Sequence, residues 1–440
     1  MYPNLYYLFW DLFGIKISIL KVVNSFGFFV AISFLVSAWL ISREFKRRQA
    51  LGYFTYTEKK ITIGQPASSG ELLANFLLGF VFGYKILGIF FTKGAMANPQ
   101  AFIFSGAGSW LAGILLGGLF LFLKWKDKNK SKLDKPEQRT VRIWPSDRVG
   151  DIVIISAIAG FVGAKIFDNL ENWDRFIQDP IGNLFSPSGL TFYGGLIVAI
   201  IALWIYFKKN NMRFINVADS VAPILMLSYG LGRIGCQVAG DGDWGIINSA
   251  YLSNPDGSLR LATPQQFQQA AVLFKNHTEQ YGIVGEIQHA AFKGASWLPD
   301  WLFAFSYPHN VNSQGIALAN CDWGQYCNYL PLPVYPTPLY EIVMSLILFG
   351  ILWSLRKKIT YPGKLFGLYL IVNGVERFLI EQIRVNTKYD IIFHPSQAEI
   401  ISFLLVIIGI ILVTMAPKIF KPLTIIKPTA SSSSKSSDNR

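Results

Sequence analysis

Charge is scarce in this sequence. Asp, Glu, Lys and Arg make up 15% of its 440 residues, against roughly 25% in an ordinary soluble domain. Beside an apolar fraction of 52%, that shortage excludes a chain kept in solution by a charged surface. Acid is rarer than base, 27 residues against 40, and the formal charge of +13 invites a nucleic-acid reading. The excess base is confined to alternate loops, which excludes it. No small-residue cleavage site follows the first apolar block, which begins near Lys21 and ends in a basic cluster. That block is therefore expected to be a retained helix and not a removable signal peptide. Cysteine is limited to Cys236, in a Gly-rich apolar stretch, and Cys321 and Cys327, in the polar loop NCDWGQYC.

Long apolar blocks take the place of charge. A bilayer core about 30 Å thick needs about 20 apolar residues at a helical rise of about 1.5 Å, and each backbone polar group there must be satisfied within its helix. The expected fold is an all-α polytopic membrane protein with about nine transmembrane helices, a duplicated two-helix unit and a small extracytoplasmic cap. The helices are read at Val22–Ser42, Leu72–Phe91, Gly108–Leu123, Asp151–Phe167, Gly189–Phe207, Asn216–Ile234, Pro338–Leu355, Lys364–Ile383 and Glu399–Pro417. Loops opening at Arg43, Lys124, Lys208, Arg356 and Lys418 hold 27 of the 40 basic residues, the opposite set nine, and Lys85, Lys165, Arg233 and Arg377 lie within helices. Basic loops stay cytoplasmic, so the N-terminus and the loop from about Gly240 to Tyr335 are expected outside and the C-terminus inside. In an oxidising compartment, Cys321 and Cys327 are expected to pair, with Cys236 reduced.

The division that follows is an N-terminal region with the first helix (1–60), an extra two-helix copy (61–130), a membrane core (145–245), an extracytoplasmic loop domain (246–335), C-terminal membrane helices (336–417) and a disordered cytoplasmic tail (418–440). The copies are visible directly. Pro99, Phe104, Ser105, Gly108 and Gly113 match Pro180, Phe185, Ser186, Gly189 and Gly194, each 81 residues on. GFVFGYKI from Gly79 matches GFVGAKI from Gly160 with one gap. Two helices per copy give both copies the same orientation, a parallel duplication unlike the inverted repeats of many transporters.

Polar residues in a bilayer are costly and mark candidate sites. GLTFYGG spans Gly189 to Gly195, GRIGCQVAGDGDWG spans Gly232 to Gly245, YPTPLYE spans Tyr335 to Glu341, and ERFLIEQIR spans Glu376 to Arg384. Arg377, Glu381 and Arg384 are spaced i, i+4, i+7 and share a helix face. They form either a structural ion ladder or an anion site in which Glu381 orients the arginines, whose forks suit phosphate. Arg233 is a second clamp, or a side chain snorkelling to the interface. Gly194 and Gly195 read equally as a helix-packing pair, and Asp241 and Asp243 as cation ligands or a solvated turn.

These runs resemble, in order, the HGG segment, the Gly-Arg-x-Gly-Asn to Gly-Glu to Trp-Gly signature, the HPSQLYE segment and the last-but-one helix of the prolipoprotein diacylglyceryl transferase family. NSFGFF from Asn24 resembles its first-helix WYG segment. The resemblance covers about 20–45, 145–250 and 334–416, and makes 61–130 an addition to a seven-helix form. It implies transfer of the diacylglyceryl group of phosphatidylglycerol to the lipobox cysteine of preprolipoproteins, the first step of bacterial lipoprotein maturation, at the plasma membrane. Neither a cofactor, a metal nor nucleic acid is implied. The implied catalytic residues are Arg233, Arg377, Glu381, Asp241 and Tyr193. The implied substrate-binding residues are Gly194, Gly195, Gly235, Cys236, Gly245, Tyr340 and Arg384.

The departures bear on chemistry. Tyr193 replaces the family's histidine, Cys236 its asparagine, Phe26 its first-helix tyrosine and Tyr335 a second histidine. Tyrosine, with a pKa near 10, is a poor base. Of His277, His289, His309 and His394, none falls at the matching place, though His394 stands before the last helix and is a candidate to approach Glu381. The base is left unassigned. The lost histidine motivates one alternative, a degenerate paralogue that binds phosphatidylglycerol or lipoproteins without transfer. A transporter is disfavoured by the parallel duplication.

Overall fold

The computed structural model describes residues 1–96, 99–186, 189, 191–277, 287–385, 389 and 394–423. Among these, a helix occupies each of the nine expected places. Seven are long and apolar enough to cross a membrane: Ser25–Ala50, Ser69–Phe91, Pro145–Glu171, Phe192–Lys209, Phe214–Ala239, Thr337–Leu355 and Gln397–Ile419. In the other two, Trp110–Lys130 and Lys364–Glu381, charged residues interrupt every stretch of membrane-spanning length. Both pack lengthwise on an apolar partner, Ser69–Phe91 and Gln397–Ile419 respectively. The Phe214–Ala239 helix is central. Of its most apolar window 56% is buried, against at most 28% in the other six.

Local chemistry sets the helix ends. Ser68 with Glu71 and Ser396 with Glu399 form capping boxes that satisfy the first free N–H groups. Lys364–Glu381 is capped by another helix, whose Asp219 accepts from Gly363 N and Phe366 N at 2.8 Å each. At that same basic end the buried Glu44 carboxylate gathers Arg47 (2.8 Å), Arg48 (3.1 Å) and Arg356 (3.2 Å). The ends of the basic loops thus meet one another, as the alternation of loop charge requires.

The two copies repeat their contacts. Each is a helix, a short helical turn (Pro99–Phe104, Pro180–Phe185) and a second helix packed back on the first. Lys85 donates to Ala107 O at 2.8 Å, and Lys165 to Gly189 O at 3.3 Å. The Gly163–Gly194 crossing is close: a Cβ on Gly163 would stand 2.5 Å from Gly194 O. The first copy leaves and rejoins the bundle through an antiparallel ribbon, Thr57–Ile63 on Glu137–Ile143, with Thr57 opposite Ile143.

The segment 246–335 folds as a cap. Short strand pairs and the Pro264–Leu273 helix enclose a core of Trp244, Ile247, Leu252, Phe267, Tyr307 and Leu330. Cys321 and Cys327 are disulfide-bonded, and Cys236 is free and buried. The disulfide loop presents Trp323, stacked on His309 (4.0 Å) and on Tyr7 (4.5 Å). Tyr7 belongs to a Leu5–Phe13 helix that the apolar blocks did not announce. Of the tail expected to be disordered from 418, Lys418 and Ile419 are helical, and 424–440 lies outside the described residues.

Candidate functional site

Helix ends converge beneath the cap. Arg233 lies in the last turns of Phe214–Ala239, Glu341 at the start of the second turn of Thr337–Leu355, and Arg377 and Glu381 in the last turns of Lys364–Glu381. Glu341 is fully buried and central. One oxygen accepts from Arg233 Nε and from the Tyr229 hydroxyl (2.7 Å), the other from Arg384 (3.4 Å). Tyr229 stands one turn before Arg233, places its ring under the guanidinium at 5.3 Å, and reaches Glu376 at 3.4 Å. Charges buried at this depth persist only when paired and hydrogen-bonded, and these are.

Asp243 closes the cluster from the loop above, one carboxylate oxygen on Arg233 and the other on Arg384. Its neighbour Asp241, the expected participant, accepts from Asp243 N at 3.3 Å and lies within electrostatic reach of Cys236. Asp243, and not Asp241, therefore sits on the arginines. Cys236 Sγ is 3.7 Å from Arg233.

Arg377 pairs with Glu381 at 3.0 Å, and Glu381 also accepts from the Ser396 hydroxyl at 2.5 Å. His394 stands two residues before that serine. Tyr193 lies within electrostatic reach of Arg377 and Glu381, and Glu376 within reach of Arg377 and Arg233. The contacts join Arg233, Arg384, Asp243 and Glu341 in one cluster, with Asp241 beside it, and Arg377, Glu381 and Ser396 in a second. A cavity of about 330 Å³ opens beside them, lined by Glu381, Gln382, Arg384, Ser396, Glu399 and, from the cap, His289. Among the described residues, no group of three or more His, Cys, Asp or Glu is placed to hold a metal ion.

Several expected substrate contacts serve packing. A Cβ on Gly194 would stand 2.7 Å from Gly163 O, and one on Gly195 2.7 Å from Gly160 O. Gly235 packs on Phe26 and Phe29, and Gly245 on the backbone of Ile383, bridging to Arg384. The Tyr340 hydroxyl is committed to Leu302 O of the cap at 2.5 Å. Tyr335 donates to Ala290 O at 3.3 Å, and burial pushes its phenol up, which keeps it a donor.

Sequence reasoning missed Tyr229, Glu341 and Glu376, and offered Asp243 only as a cation ligand or part of a solvated turn. Tyr229 carried a signal, the i, i+4 spacing to Arg233. Glu341 and Asp243 were inside the recognised runs but gave no sign of which arginine they would meet.

The fold and site define a polytopic membrane protein with a neutralised cluster of arginines and carboxylates at one end of its bundle. The model of the family "Prolipoprotein diacylglyceryl transferase" matches residues 109–415. Among curated proteins, a phosphatidylglycerol–prolipoprotein diacylglyceryl transferase of Staphylococcus haemolyticus is 25% identical over 287 residues, 63% of this chain and 79% of that protein. One of Vibrio parahaemolyticus is 27% identical over 318 residues, 70% of this chain and 86% of that protein. The chain belongs to the prolipoprotein diacylglyceryl transferase family and is a transferase.

Proposed function

We propose that this chain moves the diacylglyceryl group of phosphatidylglycerol onto the lipobox cysteine of preprolipoproteins, at the outer face of a bacterial plasma membrane. The observation that carries this reading is that Arg233 and Arg384 share Asp243 and Glu341 beneath the cap, while Arg377 is held by Glu381, whose side chain lines one cavity with Arg384. The chemistry is displacement at an alkyl carbon. The cysteine sulfur forms a bond to the glyceryl carbon, the carbon–oxygen bond to phosphate breaks, and its electron pair leaves on glycerol-1-phosphate. The thiol proton balances the charge of the released phosphate monoester. Such a step needs fixed cations where negative charge builds on the phosphate, in a site poor in water. Arg233 and Arg377 supply it, with Glu381 holding Arg377.

Tyr193 in the place of a histidine favours a second reading, a binding protein without transfer. One assay separates them. The purified protein in phosphatidylglycerol nanodiscs is mixed with a lipobox peptide, and the peptide is weighed by mass spectrometry. A diacylglyceryl mass gain that is absent in phosphatidylcholine discs supports transfer. Binding of lipid without that gain supports the second reading.

A further inference from the structure

Each of the three site arginines already has a carboxylate partner, Asp243 and Glu341 for Arg233 and Arg384, and Glu381 for Arg377. A phosphodiester entering beside these pairs would add an uncompensated negative charge in a poorly hydrated site, which is expensive. One resident carboxylate has to give way. Glu341 is not the one: its side chain is 0% exposed, and it is rooted on a membrane helix and held by two arginines and Tyr229. Asp243 is held by the same two arginines, but it differs in exposure and in the segment that carries it. Its side chain is 27% exposed, and it follows Gly240 and Gly242, both at positive φ (64° and 95°), where glycine lets the chain turn freely. Its carboxylate contacts the arginines, while its backbone is fastened separately, through Thr337 Oγ1 to Asp243 O at 3.1 Å.

A second observation concerns the seat. Arg384 Nε is buried and, among the described residues, has no hydrogen-bond partner. An Arg fork takes two oxygens in a plane, and here Asp243 and Glu341 are each shared between the same two forks, which still leaves Arg384 Nε over. A phosphate group offers more acceptor oxygens over a wider span and reaches donors that Asp243 leaves unused.

We propose that Asp243 is a resident stand-in for the lipid phosphate. It occupies the Arg233–Arg384 seat between turnovers, swings out on the Gly240–Gly242 turn when the phosphodiester enters, and returns to drive out glycerol-1-phosphate. This rests on the transfer reading above. No covalent bond changes; one anion exchanges for another, and the site stays neutral throughout.

The test is Asp243→Asn, which keeps the shape and removes the charge, in nanodiscs of graded phosphatidylglycerol content with a lipobox peptide. With the competitor gone, KM for phosphatidylglycerol falls about tenfold, the equivalent of one lost charge-assisted contact. Inhibition by added glycerol-1-phosphate strengthens by a similar factor. The kcat falls, because the product is no longer pushed out. A merely structural aspartate gives the opposite split, a raised or unchanged KM with lower kcat, and that result overturns the proposal. Should the variant fail to fold, hydrogen exchange on the unaltered protein decides. Amides of residues 240–245 exchange faster in phosphatidylglycerol discs than in phosphatidylcholine discs if Asp243 is displaced; equal or slower exchange overturns it. An unaltered protein that shows no transfer sinks the transfer reading instead, while the exchange measurement still reports on the seat.

Discussion

Arg377 and Glu381 stand one helical turn apart, with guanidinium and carboxylate 3.0 Å from each other. Ser396, from the neighbouring helix, donates to the same carboxylate at 2.5 Å, so the pair is held from two helices. Arg377→Ala removes a fixed cation from the place where phosphate charge develops. Losses of about 10²–10³ in rate follow from deleting one such group, and that is the expectation for transfer measured by peptide mass. Arg377→Lys keeps the charge and loses the fork, and is expected to fall between wild type and alanine. Wild-type transfer by both Arg233→Ala and Arg377→Ala, in protein confirmed to be inserted and folded, removes the clamp.

Tyr193 tests a different contribution. It lies within electrostatic reach of Arg377 and Glu381, and a phenol, being a poor base, is expected to act here as a hydrogen-bond donor if it takes part at all. Tyr193→Phe removes one hydrogen bond, about 1 kcal/mol, and is expected to slow transfer by about tenfold at most. An unchanged rate in single-turnover kinetics assigns Tyr193 to packing alone.

The helices were legible because a bilayer imposes one simple demand, apolar length, and seven of the nine expected blocks meet it in full. The Arg377–Glu381 pair was legible for a similar reason, since i, i+4 geometry is local. The Asp243–Arg233–Glu341–Arg384 network was not, because its four members sit on different segments and meet only through tertiary packing. Two aspartates within one turn gave no means to choose between Asp241 and Asp243. The strand pairs of the cap, two or three residues each, are too short to leave a pattern. The Leu5–Phe13 helix was missed because nine residues fall below a membrane span.

The Cys321–Cys327 bond closes a short loop. By loop-closure entropy such a link is worth about 2 kcal/mol. Its larger role is to present Trp323 to Tyr7, which stacks on it and donates to its carbonyl at 3.1 Å. Replacing Cys321 by serine is expected to leave membrane insertion intact and to speed amide exchange in residues 5–13. Thiol alkylation without reductant should label neither Cys321 nor Cys327; labelling of both shows the bond to be absent from the natural protein.

Orientation is checked by reporter fusions. Lys130 ends a helix of the basic-loop end, and Pro299 lies in the cap. Basic loops stay cytoplasmic, so a fusion at Lys130 reports inside and one at Pro299 outside. The same side for both contradicts the helix count, and exchanged sides contradict the charge argument.

The last expectation concerns the hairpin that the repeat pattern marks as an extra copy. Two relatives align over 63% and 70% of this chain, and the family match covers residues 109–415, so residues 57–108 of the hairpin lie outside it. The structure indicates which part can be spared. The chain departs at Tyr56 and returns at Trp144, whose rings meet edge-on at 5.2 Å, with Thr57 paired to Ile143 just beyond. Within the segment, the two long helices pack chiefly on each other, and its far loop reaches Val22 through a small apolar cluster with Ile89, Ala95 and Phe102. None of the site residues lies in it. Removing residues 57–143 and joining Tyr56 to Trp144 through a short glycine–serine linker spans ends that are already adjacent, so little closure entropy is added. The shortened protein is expected to insert, to stay monodisperse in detergent and to keep transfer within about threefold, the scale of a change remote from the chemistry. Loss of transfer in a shortened protein that still inserts and still binds phosphatidylglycerol would instead make the hairpin a working part, one that handles the peptide substrate and not the lipid.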